Sequence, residues 1–347
     1  MGLQQAAQSF IARQLLKLPD SVLIRLSGGQ PVTVRGRVLD PRIQFIAALA
    51  ARQDPMAGLP PDQMRVVASE TMAMLEGPMR PLAKIQHRKI PGPEIEIPVR
   101  IYTPEGAEKS GNPALVYFHQ GGCVIGNPDW CETFCSMLAD TAKAVVVSVD
   151  YRLAPEHKFP AAHDDAVAAY EWVVANADEL GIDPVRVAVG GDSAGGNLSA
   201  GITLAMKDKG GQMPCFQLLI YPWVTVADKF PSHVDFGDSF PLNSELIEFF
   251  TINYVPEGTD PNDPRLSPLS APDHSGLPPA LIATAGFDPI CDEGEAYAKK
   301  LEAAGVPVAY RCYEHLSHSY TAMSGTVPAA KLVLEQLATE VKAALHG

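Results

Sequence analysis

Apolar residues recur at helical spacing over 3–18, where Leu3, Ala7, Phe10, Ile11, Leu15 and Leu18 form one face. Gln4, Gln5, Gln8, Arg13 and Lys17 fall largely elsewhere, and the pattern stops before Pro19. Helical patterns follow at about 41–52 and 61–76, the second opened by Pro60-Pro61. Then the rhythm changes. Short, β-branched apolar runs at about 83–90, 95–102, 114–119, 144–150, 185–190, 215–221, 280–286 and 306–313 read as strands. Helical patterns at about 128–141, 161–180, 194–208, 292–304 and 327–345 lie between most of them. That alternation predicts an α/β fold with a mostly parallel eight-stranded sheet covered on both faces. The first two strands have no helix between them and predict a hairpin at one edge. Residues 222–279 break the alternation, being rich in Pro, Asp and Ser around one helix near 243–254. An excursion that long inside a compact domain predicts a functional insertion. Because ligands of open α/β sheets bind beyond the carboxyl ends of the strands, the insertion and the N-terminal helices are expected to form a lid there.

Composition narrows the function classes. The chain has 347 residues, 46% of them hydrophobic and 19% charged, which excludes a disordered chain and a coiled coil. Lys plus Arg is 27 and Asp plus Glu is 40, a net charge of −13. Such a surface repels phosphate backbones and anionic lipid, so neither nucleic acid nor a membrane is expected as a partner. No apolar run approaches the length of a membrane span. The start, MGLQQAAQSF, lacks the pattern of a signal peptide, and Ala6 stands where myristoylation wants Ser or Thr, so a cytoplasmic protein is expected. Cysteines 123, 131, 135, 215, 291 and 312 then read as reduced thiols. Cys312, His315 and His318 fall at ligand-like intervals, but a metal needs three or four converging ligands, and none is expected here.

The chemistry lies elsewhere. Gly191-Asp192-Ser193-Ala194-Gly195 follows the strand-like run at 185–190 and opens the helical pattern at 194–208. In that context G-x-S-x-G reads as a nucleophile elbow, with glycines letting strand and helix approach closely around an exposed Ser193. A dinucleotide loop fits worse, since GGDSAGG lacks the G-x-G-x-x-G spacing. A serine hydroxyl needs a base, and the base needs a group to orient it. In this scaffold the chain order is Ser, acid, His. The downstream histidines are 233, 274, 315, 318 and 346. Only His315 and His318 are expected just beyond a strand end, and spacing separates the two weakly. For the acid, Asp288 directly follows the run at 280–286, whereas Asp292 and Glu293 read as the first turn of a helix, where acids suit the dipole. An oxyanion needs N–H donors from the residue after the nucleophile and from a glycine loop after an earlier strand. His119-Gln120-Gly121-Gly122 stands where that loop belongs. His163-Asp164-Asp165 reads as an acidic helix start, Trp130 and Trp172 as core, and Trp223 and Phe287 as candidates to line the pocket.

With these residues in view, the chain resembles the bacterial hormone-sensitive-lipase family of α/β-hydrolases, in its GDSAG subgroup. The resemblance runs from about Leu39 to the C-terminus. It rests on HQGG at 119–122, YRLAPE at 151–156 with FPAA at 159–162, GDSAGG at 191–196, Asp288-Pro289 with Asp292-Glu293-Gly294, and His318. It implies an α/β-hydrolase fold with a helical cap and cofactor-free hydrolysis of small carboxylic esters, usually with short acyl chains. It implies Ser193 as nucleophile, His318 as base, Asp288 as its orienter, and the amides of Gly121, Gly122 and Ala194 as the oxyanion hole. Tyr151, Arg152, Glu156 and Asp192 match positions read as structural. The expected division is 1–38 as an N-terminal extension, 39–80 and 222–279 as the two parts of the cap, and 81–221 with 280–347 as the catalytic domain.

Three departures stand out. The family's HGGG is here HQGG, so the Gln120 side chain is expected beside the hole, where it narrows or hydrogen-bonds the acyl site. The usual Gly-Phe after the histidine is Ser319-Tyr320. Residues 1–38 extend past the family's usual start, and the apolar face of 3–18 must bury itself on something. The cap is the favoured site, with a partner's cap in a homodimer as the rival. The leading expectation is a serine carboxylesterase. An amidase, lactonase or deacetylase would use the same triad, and a non-catalytic small-molecule receptor could share the scaffold, although such receptors lose the histidine.

Overall fold

The computed structural model describes residues 13–52 and 58–347. Most of the helix expected over 3–18 lies outside them. Eight strands form one sheet: β1 (Lys84–Ile90), β2 (Ile97–Thr103), β3 (Asn112–Phe118), β4 (Val145–Val149), β5 (Ile182–Asp192), β6 (Gln217–Ile220), β7 (Ala280–Phe287) and β8 (Val308–Ser317). Their spatial order is β8-β7-β6-β5-β3-β4-β2-β1. The pairs β8/β7, β7/β6, β6/β5, β5/β3 and β3/β4 are parallel. The antiparallel pairs β1/β2 and β2/β4 close the edge that the missing crossover helix predicts.

Burial follows from this order. The central strands β3, β4 and β7 are buried along their whole length, as continuous apolar runs in a parallel sheet require. The period of two then sends alternate residues to opposite cores. Val116 and Phe118 join the core under helices α5 (Ala161–Ala175) and α6 (Ala194–Lys209). Leu115 and Tyr117 join the core under α4 (Glu132–Ala142) and α9 (Pro328–His346). Strand β3 lies between β4 and β5, so the direction of winding reverses beside it. A crevice opens at the carboxyl ends on either side of such a switch point. Both the HQGG loop after β3 and the Ser193 turn after β5 sit at that place.

Before the sheet come α1 (Asp20–Leu26), α2 (Pro41–Ala50) and α3 (Pro61–Leu75). Leu16 packs with Leu23 of α1 and Phe45 of α2. Arg13 donates to the carbonyls of Met74 and Glu76 at the end of α3, at 3.2 and 2.9 Å. Arg13 and Leu16 thus touch the region expected as the first part of the cap. Between α1 and α2 a two-residue ladder, Thr33–Val34 against Arg37–Val38, forms a small hairpin. Within the insertion, α7 (Ser244–Tyr254) starts at Asn243, whose side chain accepts from Leu246 N at 2.9 Å. The next helix, α8 (Cys291–Ala303), follows β7. Among the described residues no helix is long and apolar enough to cross a membrane.

One expected boundary is displaced. His315 is not in a loop beyond the last strand: β8 continues to Ser317, with a break in its register against β7 between Tyr313 and Ser317. His315 therefore lies within the strand and its side chain is exposed.

Candidate active site

Ser193 sits between β5 and α6 with φ 56° and ψ −116°, a backbone region that side chains other than glycine avoid. The neighbours explain how the turn is possible. A Cβ at Gly191 would lie 2.4 Å from the Gly195 backbone, and one at Gly195 would lie 1.9 Å from Phe118 O. Only glycine fits at both places. Ser193 N donates to Ile220 O at 2.9 Å, and Trp223 N donates to Ser193 O at 3.1 Å, so β6 and the start of the insertion hold the turn.

Three elements bring three side chains together. His318 Nε2 lies 3.0 Å from Ser193 Oγ, and its Nδ1 lies 2.7 Å from Asp288 Oδ2. Asp288 is fully buried, and its Oδ1 accepts from Ile290 N at 3.0 Å. With Nδ1–H donated to the carboxylate, Nε2 is left with a lone pair facing the serine hydroxyl. The Tyr221 ring lies 4.5 Å from the imidazole and restricts its tilt. His315, the other histidine that spacing left open, offers this group nothing. It takes part through its carbonyl, which accepts from Asp40 N at 2.9 Å. Asp292 and Glu293 occupy the first turn of α8, as their spacing predicts.

Gly121 and Gly122 have φ of 127° and 60°. Their loop is pinned by Val124 N and Ile125 N, which both donate to Gly121 O, at 3.0 and 2.9 Å. Among the described residues no carbonyl accepts from the amides of Gly121 or Gly122. Ala194 is the first residue of α6, where an amide has no acceptor inside the helix. His119 braces the same loop: its Nδ1–H donates to Gln120 O at 2.8 Å, and its ring stacks on Tyr151. Burial pushes the His119 pKa down to about 4, the bond to Gln120 opposing, so the ring is neutral at working pH.

The remaining expectations divide. Trp223 lines the cleft at Ser193, together with Gly122, Leu242, Ile247, Phe250 and Ile290. Phe287 does not. It packs edge-on against Phe236, 5.6 Å between ring centroids, in the core. Gln120 is also drawn away from the acyl side, since its side-chain oxygen accepts from Ser319 Oγ. Asp192, read as structural, is buried behind the serine and accepts from Tyr117 Oη at 3.0 Å, Tyr221 Oη at 3.0 Å and Thr321 Oγ1 at 2.8 Å. Arg152 grips buried Asp165 and Glu156 pairs with Arg65, so the YRLAPE segment ties helices together. A roomier groove of ≈ 460 Å³ between α5 and α6, beside His163 and Arg265, has no hydroxyl or thiol in its lining. Among the described residues no three His, Cys, Asp or Glu side chains are placed to hold a metal ion.

Residues 115–322 match a family described by the alpha/beta hydrolase fold. The chain is 43% identical over 304 residues to the carboxylic ester hydrolase LipN of Mycobacterium tuberculosis, covering 85% of this chain and 80% of that protein. It is 45% identical over 257 residues to the carboxylesterase NlhH of the same species, covering 73% and 80%. Among solved structures, the ester hydrolase EH1AB1 from the metagenome of Lake Arreo superposes with a TM-score of 0.86 at 37% identity, covering 88% of this chain and 98% of that one. A hyperthermophilic esterase from Pyrobaculum calidifontis gives 0.83 at 36% identity, with the same coverage of 88% and 98%. The chain belongs to the hormone-sensitive-lipase-like branch of the α/β-hydrolase family and is a carboxylic ester hydrolase.

Proposed function

We propose that the protein is a serine carboxylesterase that hydrolyses short-chain esters through an acyl-enzyme. The observation that carries this reading is the continuous line from Ser193 Oγ through His318 to Asp288, with links of 3.0 and 2.7 Å. Ser193 Oγ attacks the ester carbonyl carbon as its proton passes to His318 Nε2. Asp288 holds the imidazolium by its Nδ1–H. The carbonyl oxygen becomes an oxyanion, which the amides of Gly121, Gly122 and Ala194 receive; one such donor is worth roughly 2.7–4 kcal/mol of barrier. Collapse of the tetrahedral intermediate breaks the bond to the leaving oxygen, which takes the proton from Nε2. Water then repeats the sequence on the acyl-enzyme, giving up its proton to His318, and Ser193 leaves with that proton restored.

The narrowness of the cleft supports a short acyl chain. The cleft over Ser193 has a volume of ≈ 10 Å³, room for about one water molecule. Its walls Leu242, Ile247 and Phe250 come from the insertion, so each added methylene displaces apolar side chains there. The test is direct. Purified protein should hydrolyse p-nitrophenyl acetate and react with a fluorophosphonate probe, and Ser193→Ala should do neither. Rates should fall along acetyl, hexanoyl and decanoyl esters. An unlabelled wild-type protein would overturn the reading.

A further inference from the structure

The hairpin at Thr33–Val38 is closed by Arg35-Gly36, both in the left-handed region, with φ of 51° and 75°. A two-residue turn with positive φ at both central positions favours Asn-Gly or Gly-Gly, because a long side chain there is strained. Arginine at the first position is thus a poor choice for the turn itself, and its side chain shows another use. Arg35 Nη1 and Nη2 donate to both oxygens of Asp292, at 2.9 and 3.1 Å. Its Nε donates to Asp235 Oδ2 at 2.6 Å, and its guanidinium carbon lies 5.2 Å from the centre of the Phe236 ring. One side chain therefore joins the insertion, through Asp235 and Phe236, to the first turn of α8.

That turn continues the loop that carries Asp288. Ser232 of the insertion fills the space between: its Oγ donates to Pro289 O at 2.7 Å, and its amide donates to Asp292 Oδ2 at 2.9 Å. Phe236 packs on Phe287, the residue before Asp288. The hairpin and the residue that caps α2 make two more contacts. Arg37 Nη1 donates to Gly286 O at 3.0 Å, two residues before the acid, and Asp40 N donates to His315 O, three residues before His318. The N-terminal extension thus grips the backbone leading to the acid through Arg37, and Asp40, just after it, grips the backbone leading to the base.

The geometry points to Arg35 as a positioning residue for Asp288, clamping the acid loop and the insertion together from the N-terminal hairpin. This rests on the esterase reading above. Isolated exposed ion pairs contribute little, but Arg35 makes a two-pronged contact to one carboxylate, bridges to a second and stacks on a ring. The bridge fixes Asp288, on which the orientation of the His318 ring depends, while leaving the oxyanion loop untouched.

The experiment compares Arg35→Asn with Arg35→Lys. Asparagine suits the turn and deletes the clamp; lysine keeps a charge but lacks the fork. Melting temperature, kcat and KM for p-nitrophenyl acetate, and the rate of fluorophosphonate labelling at Ser193 are measured for each. Assayed well below its melting temperature, Arg35→Asn should lose about tenfold in kcat and in labelling rate, with Arg35→Lys between the two. If the hairpin is only structural, Arg35→Asn will match wild type in kcat, and a value within about twofold overturns the proposal. Should Arg35→Asn fail to fold, Arg35→Lys is decisive by the same measure, and wild-type kcat in it overturns the clamp. A wild-type protein that neither hydrolyses the ester nor takes the probe would instead overturn the esterase reading.

Discussion

The side-chain oxygen of Gln120 accepts a hydrogen bond from Ser319 Oγ at 2.5 Å, across 199 positions of sequence. These are two of the positions where the chain departs from the pattern of its family, and here they answer each other. Gln120 precedes Gly121 and Gly122, proposed as oxyanion donors, and Ser319 follows His318. Ser319 has φ 60° and ψ 21°, a left-handed conformation that suits the family's usual glycine. The bond joins the loop of Gly121 and Gly122 to the loop of His318. Gln120 Nε2 is left buried without a partner among the described residues.

This relationship predicts non-additivity. Gln120→Gly alone leaves the Ser319 hydroxyl buried and unpaired, which should cost about 1–3 kcal/mol of stability. Ser319→Gly alone strands the Gln120 oxygen but relieves the backbone. The double variant removes both groups and should be more stable than the sum of the single effects, with a coupling of about 0.5–3 kcal/mol. Denaturation midpoints of the four proteins measure it. Strictly additive values would show that the two residues act independently.

The histidine assignment yields a sharper contrast. His318→Ala should reduce kcat by at least about a thousandfold, because it removes the side chain that bonds both Ser193 Oγ and Asp288. His315→Ala removes an exposed side chain whose residue contributes a carbonyl to Asp40, and it should stay within about tenfold of wild type. Steady-state rates on an acetyl ester decide between them, and the reverse order would move the base three residues upstream.

Much of this was legible in the sequence, and the gaps have physical causes. The alternation of short apolar runs and helical patterns located the strands because parallel strands are buried on both faces. The GDSAG turn was readable because only glycine fits at 191 and 195. Spacing could not separate His315 from His318, since β8 outlasts its apolar run through an irregular register and ends at Ser317. Adjacency to Asp288 makes Phe287 only a candidate for the pocket. Along a strand adjacent side chains point to opposite faces, and that parity would have sent it to the core. The Gln120–Ser319 bond and the Arg35 clamp join distant segments through side-chain conformation, and no periodicity encodes either one.

The acyl cleft predicts a gain of function. Phe250 of α7 sits over the loop of Gly121 and Gly122 so closely that a Cβ on Gly122 would lie 2.2 Å from its ring. Phe250→Ala should open the wall and raise kcat/KM for hexanoyl relative to acetyl esters by about tenfold, roughly the discrimination that one or two methylenes supply. An unchanged ratio would mean that the acyl chain leaves by another path.

The last prediction concerns pH and the anchoring of the insertion. Glu293 of α8 is fully buried, and its Oε2 accepts from Val224 N and Thr225 N, at 3.2 and 3.0 Å, just after β6. Phe230 N donates to His233 Nδ1, so His233 carries its proton on Nε2, 3.8 Å from the other Glu293 oxygen. Burial pushes the Glu293 pKa up to about 7, opposed by His233 and the Val224 amide. An exposed glutamate titrates near ~4.3, so between the two values the folded chain holds a proton that the unfolded chain has released. Stability from this group is therefore full below the unfolded pKa and is lost as pH rises through about 7. Glu76, pushed up to about 8 chiefly by burial, slopes the same way, so the wild-type curve alone does not isolate Glu293. Glu293→Gln keeps an oxygen for the two amides and removes the titration. Its melting temperature relative to wild type should rise between pH 5 and pH 8, by about 1–2 °C for each kcal/mol involved. Parallel melting curves across that range would show that the carboxyl stays ionised in the folded protein, and that His233 and the amides outweigh its burial.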